Sequence, residues 1–248
     1  MHNISSELEK IKTDIEDEVH YKYLEKYIQK PKIEQEKLFL IYSILLNHNI
    51  SFSKKNNYII TTMLVQLALD THDLVNNDET VDQSGVTIEQ QLNVLAGDYY
   101  SSLYYLFLSK IEEQRLIHTL AVAIREINEA KIKLYYHEFK SFEELLDIVK
   151  KIESTLYTHI ALFIDESTLV PFIEEWLLLI TLSKLKYKKE PTIFDKMYIS
   201  SNDTDFMNFI DTQMEQQMRQ LREITSQLPE RYISLKNHSE IFLNKLVK

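Results

Sequence analysis

Residues 87–109 read TIEQQLNVLAGDYYSSLYYLFLS, and the spacing of their apolar groups predicts a helix over Thr87–Ser109. Its interior holds one breaker, Gly97. Glycine inside a helix costs about 1 kcal/mol relative to alanine, so a helix that keeps one has a packing reason, here the close approach of another helix. The tyrosines that follow, Tyr99, Tyr100, Tyr104 and Tyr105, suit either a core or an interface.

Away from this stretch the chain is as poor in breakers as within it. Its 248 residues contain two glycines, Gly85 and Gly97, and four prolines. Sheets and phosphate loops need tight turns and positive φ, which glycine normally supplies. The fold class that follows is all-α, a single helical domain over residues 1–248. Apolar spacing predicts helices over Asn3–Gln29, Glu34–Asn47, Lys55–Asn76, Thr87–Ser109, Glu112–Phe139, Phe142–Phe163, Thr168–Lys188, Asp203–Gln227 and Glu230–Val247. Thr168–Leu185 is apolar on most sides, as expected of a helix at the centre of a bundle. In Asp203–Gln227, Met207, Met214 and Leu221, followed by Leu228, recur every seven residues. That stripe is either core-facing or a partner-binding face.

Composition removes several function classes. Net charge is −10, from 38 acidic and 28 basic side chains, a field that repels a phosphate backbone. Cysteine is absent, which excludes disulfides, zinc–thiolate sites and thiol nucleophiles. Met1–Asp17 is polar, unlike a signal peptide, and the longest apolar run, Trp176–Leu182, is far short of a membrane span. A cytoplasmic location is expected. No two of the eight histidines stand four apart, so no helical zinc pair is formed.

One polar stripe remains as a candidate site. Gln66, Asp70, Asp73 and Asn77 fall on one helical face, opposite Met63, Leu64, Leu67 and Val75. Such oxygens either hold a hard cation or form a solvated face.

Taken together, His72-Asp73-Leu74-Val75-Asn76-Asn77 and the later Leu95-Ala96-Gly97-Asp98-Tyr99-Tyr100 resemble the isoprenyl diphosphate synthase family. In that family a helix ends in His-Asp-Asp-x-x-Asp and the next carries Leu-Ala-Gly-Asp-(Tyr/Phe)-Leu. Ala68–Asp73 with Leu95–Tyr100 is similar, more closely, to component I, the small subunit, of bacterial heptaprenyl diphosphate synthases. The recognisable motifs cover about residues 60–110. The resemblance implies the all-helical isoprenoid synthase fold.

Departures from the motif shape the functional expectation. Active members hold Mg²⁺ through aspartates at the first, second and last positions of Asp-Asp-x-x-Asp, where this chain has Asp73, Leu74 and Asn77. For a second aspartate-rich motif the nearest doublets are Asp165-Glu166 and Glu174-Glu175, neither followed by an aspartate in register. No lysine or arginine occurs between Lys55 and Lys110, although diphosphate binding relies on metal ions and such donors. The resemblance therefore implies a subunit without catalytic residues or metal of its own. Its partner would be the larger component II, which carries Mg²⁺ and makes heptaprenyl diphosphate from farnesyl and isopentenyl diphosphates for menaquinone. By family analogy the partner interface involves Thr87–Ser109 and Glu112–Phe139, with Gly97, Tyr99, Leu103, Leu106 and Leu120 as candidates; the chain alone could form homodimers. Leu69, Thr71 and Tyr100 are candidates for lining the tunnel of the growing product. Two alternatives stay open: an enzyme active alone through an unusual metal site at Asp70, Asp73 and Asp98, and a helical interaction module unrelated to isoprenoids.

Overall fold

The computed structural model describes residues 2–75, 88–187 and 204–246; these residues form α-helices joined by turns and 3₁₀ turns, with no strand among them. Backbone contacts divide the chain into two compact units, 1–120 and 121–248.

The first unit holds α1 (His2–Val19), α2 (Gln35–Leu46), α3 (Phe52–Asp73), α4 (Ile88–Lys110) and the start of α5 (Gln114–Tyr135). The spacing of Ile11, Ile15 and Val19 gives α1 its buried stripe. A single helix over Asn3–Gln29 is corrected here, because α1 stops at Val19. The next aliphatic residue, Leu24, stands five positions on, where a continuing helix would turn it well off the stripe. The chain instead breaks into an arm with a 3₁₀ turn at Leu24–Lys26, which buries Leu24 and Ile28.

Ser51 caps α3 by accepting the Lys54 amide at 3.3 Å. This helix is buried without interruption from Tyr58 to Leu69 and packs against α1, α2 and α4. Its buried threonines satisfy their own hydroxyls: Thr61 donates to the Asn57 carbonyl, Thr62 to Tyr58 and Thr71 to Leu67, each at 2.7 Å. Polar side chains thereby sit in a core at little cost.

Between α1 and α2, the Tyr42 hydroxyl donates to Glu7 Oε2 at 2.6 Å. Burial, then this bond, raises the Tyr42 pKa far above its ordinary 10.0. Tyr58 is raised likewise, by burial first and the Glu113 carboxylate next. Both phenols keep their protons longer folded than unfolded. Their contribution is thus complete below about pH 10 and is lost as pH rises beyond it. Thermal melts should show Tm falling above about pH 10. Tyr42→Phe should flatten part of that fall while costing about 1 kcal/mol at neutral pH. A profile unchanged by Tyr42→Phe would contradict the assignment.

The second unit contains the rest of α5, α6 (Phe142–Phe163), α7 (Val170–Tyr187), α8 (Thr204–Gln227) and α9 (Ile233–Leu246). Ser141 caps α6 by accepting the Glu144 amide, and the Glu144 carboxylate reaches back to the Lys140 amide at 2.6 Å. Helix α7 packs against both α6 and α8, which agrees with its apolar circumference. Trp176 anchors it, stacked on Phe172 and edge-on to Phe242 of α9 at 4.9 Å. On α8 the seven-residue stripe turns toward the core: Met214 and Leu221 are buried, as is Leu228 beyond its end, while Met207 is half-buried.

Three helix ends show how a chain with two glycines turns corners. Glu112, His137 and Asp165 take φ of 57°, 52° and 62°. After each, an amide bonds back five residues: Glu113 to Leu108, Glu138 to Lys133 and Glu166 to Ala161. These are Schellman caps built on non-glycine residues.

Candidate functional site

The end of α3 and the first half of α4 carry the residues that the sequence singles out. Gln66 is buried, and its amide donates to Asp70 Oδ1 at 2.8 Å. Helix α3 ends at Asp73, which is half-buried. Leu74 follows with 56% of its surface exposed. Asn77 lies outside the described residues.

Gly97 explains how α3 and α4 meet. A Cβ at this position would stand 2.5–2.7 Å from three ring atoms of His72. The imidazole therefore lies directly on the glycine, and its Nε2 is 3.5 Å from Asp98 Oδ1. Both groups are largely exposed, so the contact adds little beyond orienting the ring. The helix-packing reason expected for Gly97 is present, and the close neighbour is a side chain at the motif's first position.

This arrangement does not suit a diphosphate held by metal. A neutral leucine stands beside Asp73, and Asp70 is already bonded to Gln66. No group of three or more histidines and carboxylates that could hold a metal ion exists among the described residues. The later acidic doublets have structural partners. Glu166 accepts from Arg231 Nη2 at 3.0 and 2.8 Å, and Glu175 pairs with Lys150 at 2.8 Å. Burial raises the pKa of Glu174, which lines a polar hollow in the second unit with His159 and Glu126.

The remaining candidates divide by exposure. Gly97 and Leu120 are buried, Tyr99 and Leu103 half-buried, and Leu106 exposed. Leu69 and Thr71 are buried, while Tyr100 lines a hollow beneath the arm. Apolar spacing would also have revealed Ile88 and Leu95, seven and eleven residues apart along the stripe that ends at Leu106. On the outer face of α4, Ile88, Val94, Leu95, Tyr105 and Leu106 are all exposed. A helix apolar on its solvent side is a candidate interaction surface.

Comparisons with known proteins agree with this geometry. A family model described as heptaprenyl diphosphate synthase (HEPPP synthase) subunit 1 matches residues 21–230. The chain is 44% identical over 109 residues to heptaprenyl diphosphate synthase component 1 of Geobacillus stearothermophilus. That stretch covers 44% of this chain and 47% of the relative, about half its length. Heptaprenyl diphosphate synthase of Staphylococcus aureus superposes with a TM-score of 0.72 at 10% identity, over 97% of this chain and 98% of that one. A decaprenyl diphosphate synthase of Rhodobacter capsulatus gives 0.67 at 10% identity, over 98% and 97%. At such identities the likeness concerns the fold, which is that of the all-α isoprenoid synthases.

Proposed function

The chain belongs to the heptaprenyl diphosphate synthase subunit 1 family, and from that premise we propose that it is the non-catalytic subunit of a two-component prenyltransferase. The observation that carries the proposal is the state of the first motif. One aspartate remains of three, with a leucine in the second place, and no lysine or arginine occurs from residue 56 to 109. Diphosphate in such a place would lack both metal and cationic donors.

On this reading the chemistry belongs to a larger catalytic subunit carrying Mg²⁺. That partner ionises farnesyl diphosphate, lets the alkene of isopentenyl diphosphate attack the cation, and removes a proton. Successive additions give heptaprenyl diphosphate for menaquinone. The present chain supports the partner and helps shape the space for the growing product. The outer face of α4 is its docking surface. No helix among the described residues is long and apolar enough to cross a membrane, and the cytoplasm is the proposed location.

The test is reconstitution. This chain, a candidate catalytic subunit and their mixture each receive farnesyl diphosphate, labelled isopentenyl diphosphate and Mg²⁺. Product is expected from the mixture, and Asp73→Ala should leave the yield unchanged. Product from this chain alone, abolished by Asp73→Ala, would instead establish a metal site of its own.

A further inference from the structure

On the outer face of α4 the exposed apolar groups surround one charge. Asp98 follows Val94 by one helical turn, stands three residues after Leu95 and precedes Tyr105 by two turns, so the four share a face. Its side chain is 69% exposed. Among the described residues its one ion-pair contact is with His72, at 3.5 Å. That distance is long for a hydrogen bond, and most of the carboxylate stays open to solvent. The neighbouring sequence offers it no cation. Residues 56–109 carry seven acidic side chains and no lysine or arginine, so this stretch accounts for −7 of the chain's net −10.

A charge in such a place decides what can cover it. When the apolar groups of α4 are buried in a complex, the carboxylate among them loses its water. A desolvated charge left unpaired is strongly unfavourable, and buried charges in proteins are accordingly paired. A second copy of this chain is a poor occupant. Setting α4 against α4 would bring two stretches of the same sign together, each without a lysine or arginine before Lys110. A partner that aims a cation at Asp98 satisfies the charge. Arginine suits the position best, because its planar fork can bind both carboxylate oxygens. The negative field around Asp98 also draws a positive face in and speeds its encounter.

We propose that the face of the catalytic subunit covering α4 is basic, and that it seats an arginine or lysine on Asp98 with apolar groups against Val94, Leu95 and Tyr105. The proposal rests on the reading of this chain as a binding subunit that docks through α4. It adds the charge that the partner must present.

The experiment follows association of the full chain with the catalytic subunit by surface plasmon resonance, at about 0.05 and about 0.5 M salt. Asp98→Asn keeps the shape of the side chain and removes its charge. At low salt it should weaken binding by about thirtyfold or more, with an unchanged melting temperature. Raising the salt should slow association of the wild-type chain, and slow that of the variant less. Asp98→Asn that binds as tightly as wild type or more so, while Leu95→Asp with Leu106→Asp abolishes binding, overturns the basic partner face and leaves α4 as the docking surface. If neither variant changes the affinity, docking through α4 fails and this inference falls with it. Sedimentation velocity of the chain alone provides the third arm. A dimer that Leu95→Asp with Leu106→Asp returns to monomer makes a second copy the occupant of α4, and it overturns the proposal too.

Discussion

Leu95→Asp combined with Leu106→Asp should leave the isolated chain folded and abolish its ability to activate a catalytic subunit. The two leucines lie eleven residues apart, three turns along one face of α4, and are 59% and 46% exposed. Neither supports the core, so each substitution should change stability by no more than about 0.5 kcal/mol. In a complex the balance reverses. Each leucine contributes about 1.5–3 kcal/mol when covered, and each aspartate brings an unpaired charge that must lose its water. Together these effects should weaken association by at least a factor of about a thousand. Titrating the catalytic subunit with the double variant, and following prenyl transfer, reads this directly. Half-maximal activation at the wild-type concentration would mean that α4 is not the docking face.

A second large effect is expected at Gly97. Gly97→Val puts branched carbons where the His72 ring now lies, against a space already too small for one Cβ. Overpacking of this kind costs about 1–3 kcal/mol, and the cost falls on the junction of α3 with α4. The gentler Gly97→Ala is more informative. Alanine gains about 1 kcal/mol in helix propensity, which offsets part of the clash. Removing the ring as well, with His72→Ala, should turn Gly97→Ala from destabilising to stabilising. Urea denaturation of the two single variants and the double variant measures the coupling. Additive effects would show that the ring and the glycine do not meet.

Much of this was legible in the residues. Scarcity of glycine and proline announced helices, and the boundaries of α6 were readable because Ser141 caps its start and Ile164 ends its apolar run. The break after Val19 was harder to see. No proline or glycine marks it, and the signal is a change of spacing from four to five between Val19 and Leu24. The corners at Glu112, His137 and Asp165 were equally hidden, since none is a glycine. Within the site, the missing carboxylates could be read from letters alone, as could a packing reason for Gly97. That His72 supplies the contact could not, because its ring reaches Gly97 only once α3 and α4 pack. Exposure along α4 was likewise invisible. Tyr100 and Leu106 look alike in sequence, yet one is buried and the other faces outward.

Helix α7 has a further consequence during synthesis of the protein. It packs against α6, made before it, and against α8, made after it. When Tyr187 has left the ribosome, roughly 40 residues must still be added before α8 is complete at Gln227, about 2–8 s at usual elongation rates. For that interval the side of α7 that packs on α8 has no cover from its later neighbour. The nascent chain thus carries a strongly apolar helix half covered until α8 has been made, an interval in which chaperone protection matters.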